Sequence, residues 1–172
     1  DHDLSWGRPL KSILCLFDTS IVPFHFYHLQ STNKIFLGGP YDEKSFVVKN
    51  ATHYFTLLKD KKIILDHEER KKIILSNLKT IFAKSKCENN PDPSLVEEVT
   101  NLVEYPTALK GKFSEDFLAL PEELLNLTMK QHQRYFPMRS IDEGKIINQF
   151  ITISNNKDEK KLIIEGNERV LQ

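Results

Sequence analysis

The chain has 172 residues and balances 24 Lys+Arg against 24 Asp+Glu, so its formal net charge is zero. A module that wraps nucleic acid by charge alone is strongly basic, and this balance excludes that reading. Hydrophobic residues at 40% and aromatics at 10% supply a core and exclude an acidic disordered tail, with one domain over residues 1–172 the expectation at this length and two small lobes the alternative.

In chain order, residues 12–17 (SILCLF) are short and apolar, and Asp18-Thr19-Ser20 signals a turn. Residues 21–28 add aromatic and β-branched side chains, which together predict a hairpin. Residues 33–42 read as a loop because Gly38-Gly39-Pro40 breaks any regular element, and Phe46-Val47-Val48 is a third short strand. Asn50 caps a helix over residues 51–58, and residues 62–65 (KIIL) form a brief strand. Asp66 opens the clearest helix, with Glu69 three residues on as in a capping box. Ile74, Leu78, Ile81 and Phe82 make its buried stripe, and Lys72, Lys79 and Lys86 share its outer side.

Residues 89–93 (NNPDP) connect to a helix over 94–103 that turns Leu95, Val99, Leu102 and Val103 inward. Residues 106–113 form a strand. Pro121 at a first helical position, followed by Glu122 and Glu123, opens a helix to about residue 131. Residues 135–138 are strand-like, 141–144 a turn, and 145–154 a long strand with alternating Ile147, Gln149, Ile151 and Ile153. Residues 161–171 are helical. Helices and strands mix without regular alternation, so the class is α+β, a mixed or antiparallel sheet with packed helices.

No run of 18 apolar residues occurs, so no transmembrane helix and no membrane partner are expected. The polar start Asp1-His2-Asp3 does not read as a signal peptide, and with no initiator Met the expectation is an excised domain rather than a whole protein. Cys15 and Cys87 make neither a disulfide framework nor a metal site and point to a reducing, cytosolic setting.

Five constellations carry possible chemistry. His25 and His28 have HxxH spacing, but residues three apart on a strand face opposite ways and no third ligand is near, so no metal is assigned. Asp66-His67-Glu68-Glu69 resembles acid/base machinery, yet helix capping accounts for Asp66 and Glu69. Gly38-Gly39 lacks the Gly-Lys-Ser/Thr ending of a phosphate loop, and no nucleophile elbow surrounds Ser5, Ser12, Cys15 or Cys87. Residues 130–139 (KQHQRYFPMR) interleave three cations with His132, Tyr135 and Phe136. Either the cations contact phosphates while the aromatics stack on unpaired bases, or the aromatics divide between core and surface of a strand while the charges are solvated. Residues 88–104 carry five acids and no base, so any polyanion approaches from another side.

Residues 95–137 then become recognisable. Val96 to Val99 (VEEV), residues 101–106 (NLVEYP), 117–121 (FLALP) and 128–137 (TMKQHQRYFP) follow one another as they do in the β subunit of heterotetrameric bacterial glycyl-tRNA synthetase, which the chain resembles. Trp6-Gly7, Arg8-Pro9, residues 66–70 (DHEER) and 165–170 (EGNERV) extend the resemblance over nearly the whole chain. Two departures fall at loops. Trp6-Gly7 runs directly into Arg8-Pro9, and residues 33–39 replace a basic Arg-Gly-His-Arg-Phe segment.

The resemblance implies an internal fragment of a β subunit in a cytoplasmic enzyme. Its α subunit holds ATP with magnesium, glycine and the aminoacylation centre. The β subunit binds and positions the glycine-specific tRNA, and its early region resembles the editing-type module of the phenylalanyl-tRNA synthetase β chain. The fragment then has no catalytic residue, cofactor or metal of its own. Its candidate RNA contacts are Lys130, His132, Gln133 and Arg134, with Lys110 and Lys112 as weaker ones. The alternatives are a scaffold packed on other domains of the β chain or on the α subunit, and a vestigial editing module.

Overall fold

The computed structural model describes residues 10–37, 44–155 and 160–171, and the chain forms two compact units, Asp1–Ile63 and Ile64–Gln172. The architecture is α+β. Trp6-Gly7, Arg8-Pro9 and the Gly38-Gly39-Pro40 break lie outside the described residues.

The first unit begins with β1 (Ile13–Leu14), β2 (Leu16–Phe17), β3 (Ser20–Ile21), β4 (His25–Phe26) and β5 (Leu29–Thr32). The expected hairpin forms with Leu16 opposite Ile21 and Phe17 opposite Ser20, so Ser20 is strand and the turn is Asp18-Thr19. Asp18 takes φ 53, the sense that a tight two-residue hairpin turn requires. The expected single strand over 21–28 divides in two. The buried Ser31 hydroxyl donates to Val22 O at 2.7 Å and accepts the Phe24 N–H at 3.0 Å, which fastens the segment around Pro23. A second hairpin, His25 to Gln30, then turns at Tyr27-His28. β1 runs parallel to β5.

Residues 34–36 correct the loop expectation. β6 (Lys34–Phe36) pairs antiparallel with β7 (Ser45–Val47), because Ile35 and Phe36 suit a strand and the breakers start only at Gly38. α1 (Ala51–Asp60) follows, with Asn50 accepting the His53 N–H at 2.9 Å. The strand expected over 62–65 is absent. Lys62 takes φ 56, its N–H bonds Lys59 O, and the Ile63 N–H reaches back to Leu58 O, the paired bonds of a Schellman end with lysine in glycine's place.

The second unit is a three-layer arrangement around one sheet. α2 (His67–Lys84) and α3 (Pro93–Leu102) precede β8 (Thr107–Lys112). A 3₁₀ turn (Glu115–Ala119), α4 (Glu122–Asn126) and a π-helical turn (Leu127–His132) lead to β9 (Phe136–Arg139), β10 (Ile146–Ser154) and α5 (Leu162–Val170). Pro121 stands one residue before α4 rather than inside it. The sheet order is β8-β10-β9, antiparallel throughout.

Asp66 caps α2 as the capping box predicts, accepting the Glu69 N–H at 3.0 Å. Ile74, Leu78 and Phe82 are buried and Ile81 is partly so. Lys86 does not share the outer face of α2. It lies beyond the helix at φ 54, in a second Schellman end whose Cys87 N–H bonds Phe82 O. In α3, Leu95, Val96 and Val99 are buried while Leu102 is 58% exposed. Adjacent residues diverge, and the chain leaves the helix at Val103 to bury that side chain instead.

The alternation along β10 does not leave one face to solvent, because both its faces are covered. Ile147, Ile151 and Ile153 join α2, α3, Phe136 and Met138 in one cluster. Ile146 and Phe150 join Phe113, Leu125, Met129, Tyr135 and Ile164 in another. Phe150 and Ile151, neighbours in sequence, are each 0% exposed.

Candidate nucleic-acid interface

The cationic-aromatic segment is shaped by an irregular helix end. α4 gives way to a π turn over Leu127–His132, where Gln133 N–H bonds Thr128 O at 3.2 Å and Tyr135 N–H bonds Met129 O at 2.8 Å. π turns occur singly and at sites where a helix must re-aim its side chains. Arg134 then takes φ 58, and the chain enters β9.

This corner sends two successive aromatics to opposite sides of the sheet. Tyr135 is buried in the cluster with Phe150, its ring stacked on that ring at 4.4 Å between centroids and 16° between planes. Phe136 is buried in the cluster with α2 and α3. Burial raises the Tyr135 phenol above its ordinary range. Neither ring has a face free for a base. Of the two readings of the aromatics, the one that assigns them to the protein interior fits, and both rings go into cores rather than one to core and one to surface.

The cations of the same segment meet the acids of residues 88–104. Lys130 Nζ lies 3.3 Å from Asp92 Oδ2, and Arg134 Nε lies 2.5 Å from Glu98 Oε1. Asp92 also caps α3, accepting from the Ser94 and Leu95 N–H groups and the Ser94 hydroxyl. The Ser94 hydroxyl bond, then Lys130, pull its carboxyl down to about 2. Arg139 forms a forked pair with Glu122 and donates to Gly144 O, which holds the Glu122 carboxyl below its usual range. His132 is exposed and Gln133 half-buried.

Lys110 and Lys112 are not brought to this place. They lie exposed on β8, at the opposite edge of the sheet from β9. Lys110 Nζ is 3.4 Å from Ser85 Oγ, and the Lys112 N–H donates to Glu168 Oε1 at 2.8 Å. In the Asp66-His67-Glu68-Glu69 run, His67 Nε2 sits 2.9 Å from Glu97 Oε1, and Lys71 Nζ holds the other Glu97 oxygen at 2.8 Å. His25 lies on β4 and His28 in the following turn. Among the described residues no three His, Cys, Asp or Glu groups converge as a metal site, and no helix is long and apolar enough to cross a membrane.

Sequence reasoning passed over several residues that join distant motifs. Arg70 donates to Ile64 O at 2.7 Å, Leu65 O at 2.9 Å and Thr100 O at 3.2 Å. Asn155 Oδ1 accepts the Glu104 and Tyr105 N–H groups at 2.7 and 2.9 Å. Asn167 Oδ1 accepts the Tyr135 hydroxyl at 2.6 Å. Arg70 and Asn167 stand inside motif strings that were legible, but their partners lie 30 and 32 residues away.

The fold and this bonding pattern describe a domain whose recognisable residues tie its own elements together. A family model described as the glycyl-tRNA synthetase beta subunit matches residues 1–172. The glycine–tRNA ligase beta subunit of Listeria monocytogenes serovar 1/2a is 38% identical over 172 residues, covering 99% of this chain and 25% of that protein. That of Citrifermentans bemidjiense is 38% identical over 173 residues (100% and 25%), and that of Dictyoglomus turgidum 39% over 171 residues (99% and 25%). The chain belongs to the glycyl-tRNA synthetase β-subunit family. It spans about a quarter of the length of these relatives.

Proposed function

We propose that the chain is a noncatalytic tRNA-positioning and architectural module of the β subunit of glycine–tRNA ligase, and that its 128–137 segment acts through architecture rather than by touching RNA. The observation that carries this is how the segment's groups are used: Tyr135 and Phe136 fill two cores, Lys130 is held by Asp92 and Arg134 by Glu98. A phosphate approaching Lys130 or Arg134 meets a cation already neutralised, beside the acids of α3. In this reading the whole enzyme charges glycine-specific tRNA in the cytoplasm. ATP with magnesium is bound at the α subunit, and the module shapes the β subunit by packing on its other domains.

The test is Lys130→Ala with Arg134→Ala in the assembled α/β enzyme. The tRNA KM and its salt dependence stay at the wild-type values, while the β subunit loses at most about 1 kcal/mol per exposed pair. Direct contact would instead raise the tRNA KM and flatten the salt slope by about one unit per lost phosphate. That outcome, with unchanged stability, overturns the reading.

A further inference from the structure

The zero net charge of the chain is unevenly spread. Residues 44–62 carry five lysines against one acid, Asp60, so this stretch is +4 and the rest of the chain −4. The two units also use their cations differently. Every ion pair among the described residues lies within Ile64–Gln172. In the first unit Lys49, Lys59, Lys61 and Lys62 are exposed, and none of them forms an ion pair among the described residues. Lys130 and Arg134 are neutralised where they stand, whereas these lysines keep their charge for something else.

α1 arranges the groups. Phe55 and Lys59 stand four apart and share one face of the helix, and Lys62 follows in the turn just past its end. Phe55 is 59% exposed, and among the described residues of α1 it is the only large apolar side chain so exposed. Lys61 lies over the Phe46 ring, with Nζ 4.4 Å from the centroid, which places the ammonium without cancelling its charge. The negative end of a helix is worth about half a charge. With Asp60 it offsets about half the charge of Lys59, Lys61 and Lys62 and leaves a net cationic end.

These features favour RNA over a protein partner. Protein interfaces are depleted in lysine and center on a contiguous apolar patch, but the exposed helix residues around Phe55 are Thr52, Thr56 and Lys59. An RNA strand uses what is present: point charges for its phosphates and one open ring for an unpaired base. From these observations we infer that the α1 surface of Phe55, Lys59, Lys61 and Lys62 is an RNA contact, with the lysines on phosphates and Phe55 stacked on an unpaired base. This rests on the tRNA-positioning reading above and names the residues that touch the tRNA.

The test is binding of a glycine-accepting tRNA transcript by the full-length β subunit assembled with the α subunit, across a salt series. Lys59→Gln, Lys61→Gln and Lys62→Gln together raise the tRNA Kd at least tenfold and flatten the slope of log Kd against log salt by about two, because each phosphate contact carries about 0.7–0.9 of that slope. Phe55→Ala raises the Kd about tenfold with the slope unchanged, and Phe55→Tyr restores binding. An unchanged Kd or slope in the triple variant overturns the inference, and an unchanged Kd in Phe55→Ala overturns the stacking. Lys61 also touches Phe46, so a second measurement leaves the lysines in place. Phe55→azidophenylalanine, at an exposed position, crosslinks on illumination to the bound tRNA. Crosslinks to either polypeptide instead, or none, overturn the inference. The Lys130 and Arg134 variant tests the proposed function on residues of the second unit, so the two readings fail separately.

Discussion

The Tyr135 hydroxyl donates to Asn167 Oδ1 at 2.6 Å and thereby joins the 128–137 motif to α5. Asn167 also donates through Nδ2 to Ile163 O, so its amide is oriented by its own helix before Tyr135 reaches it. A buried phenol without a partner is costly, and here the partner is fixed in place. Tyr135→Phe and Asn167→Ala are each expected to lower the stability of the β subunit by about 1 kcal/mol, with the double variant losing clearly less than the sum. Chemical denaturation of the four proteins of that cycle measures the coupling. Additive losses would show that the bond contributes nothing.

Gly111 has no room for a side chain. A Cβ there would lie 2.6 Å from Phe150 Cζ and 2.8 Å from Ile164 Cδ1. Phe150 cannot yield, because its ring is fully buried and stacked on Tyr135. Gly111→Ala is therefore expected to destabilise by about 1–3 kcal/mol, although alanine suits a strand better than glycine does. Adding Phe150→Leu to Gly111→Ala should recover part of that loss in thermal unfolding.

Asp92 supplies a pH dependence. The Ser94 hydroxyl first, and Lys130 next, bring its carboxyl from the ordinary 3.8 to about 2. A carboxyl lowered by folding stabilises the folded state above its unfolded pKa, and that contribution is lost as pH falls through the folded value. Solvent reaches the group, so its worth is on the order of 1 kcal/mol rather than the full shift. Asp92→Asn should be less stable than wild type at neutral pH, with the difference closing between pH 3.8 and about 2. A gap that persists at the acid end would assign the loss to capping geometry alone.

Arg70 tests the difference between a fork and a point charge. Its guanidinium holds two carbonyls just before α2 and one on α3, a geometry that an ammonium does not reproduce. Arg70→Lys is expected to lose nearly as much stability as Arg70→Ala, about 1–3 kcal/mol, since either leaves carbonyls unpaired. Full rescue by lysine would show that charge, not shape, is what the site uses.

Local signals in the sequence carried much of the fold. Asn50 and Asp66 cap the helices they were expected to cap, and Leu16 to Ile21 form the expected hairpin. The helix ends were harder, because Lys62, Lys86 and Arg134 take the left-handed conformation that glycine or asparagine usually signals. A cation suits the negative end of a helix, but no pattern rule distinguishes it from a solvated lysine. The candidate site was ambiguous for a related reason. Alternating cations and aromatics describe an RNA-stacking edge and a strand between two cores equally well. The burial of Tyr135 and Phe136 in separate cores, and the pairing of Lys130 with Asp92 and of Arg134 with Glu98 across 38 and 36 residues, separate the two.

β10 has a consequence for how the second unit fails. Phe150 and Ile151 are consecutive and belong to different clusters, so one strand is a party wall with a tenant on each side. Neither cluster can melt while the other persists, because removing the wall opens both rooms at once. Damage at α5 should therefore be felt at α3, and the unit should unfold in a single transition with no half-folded survivor.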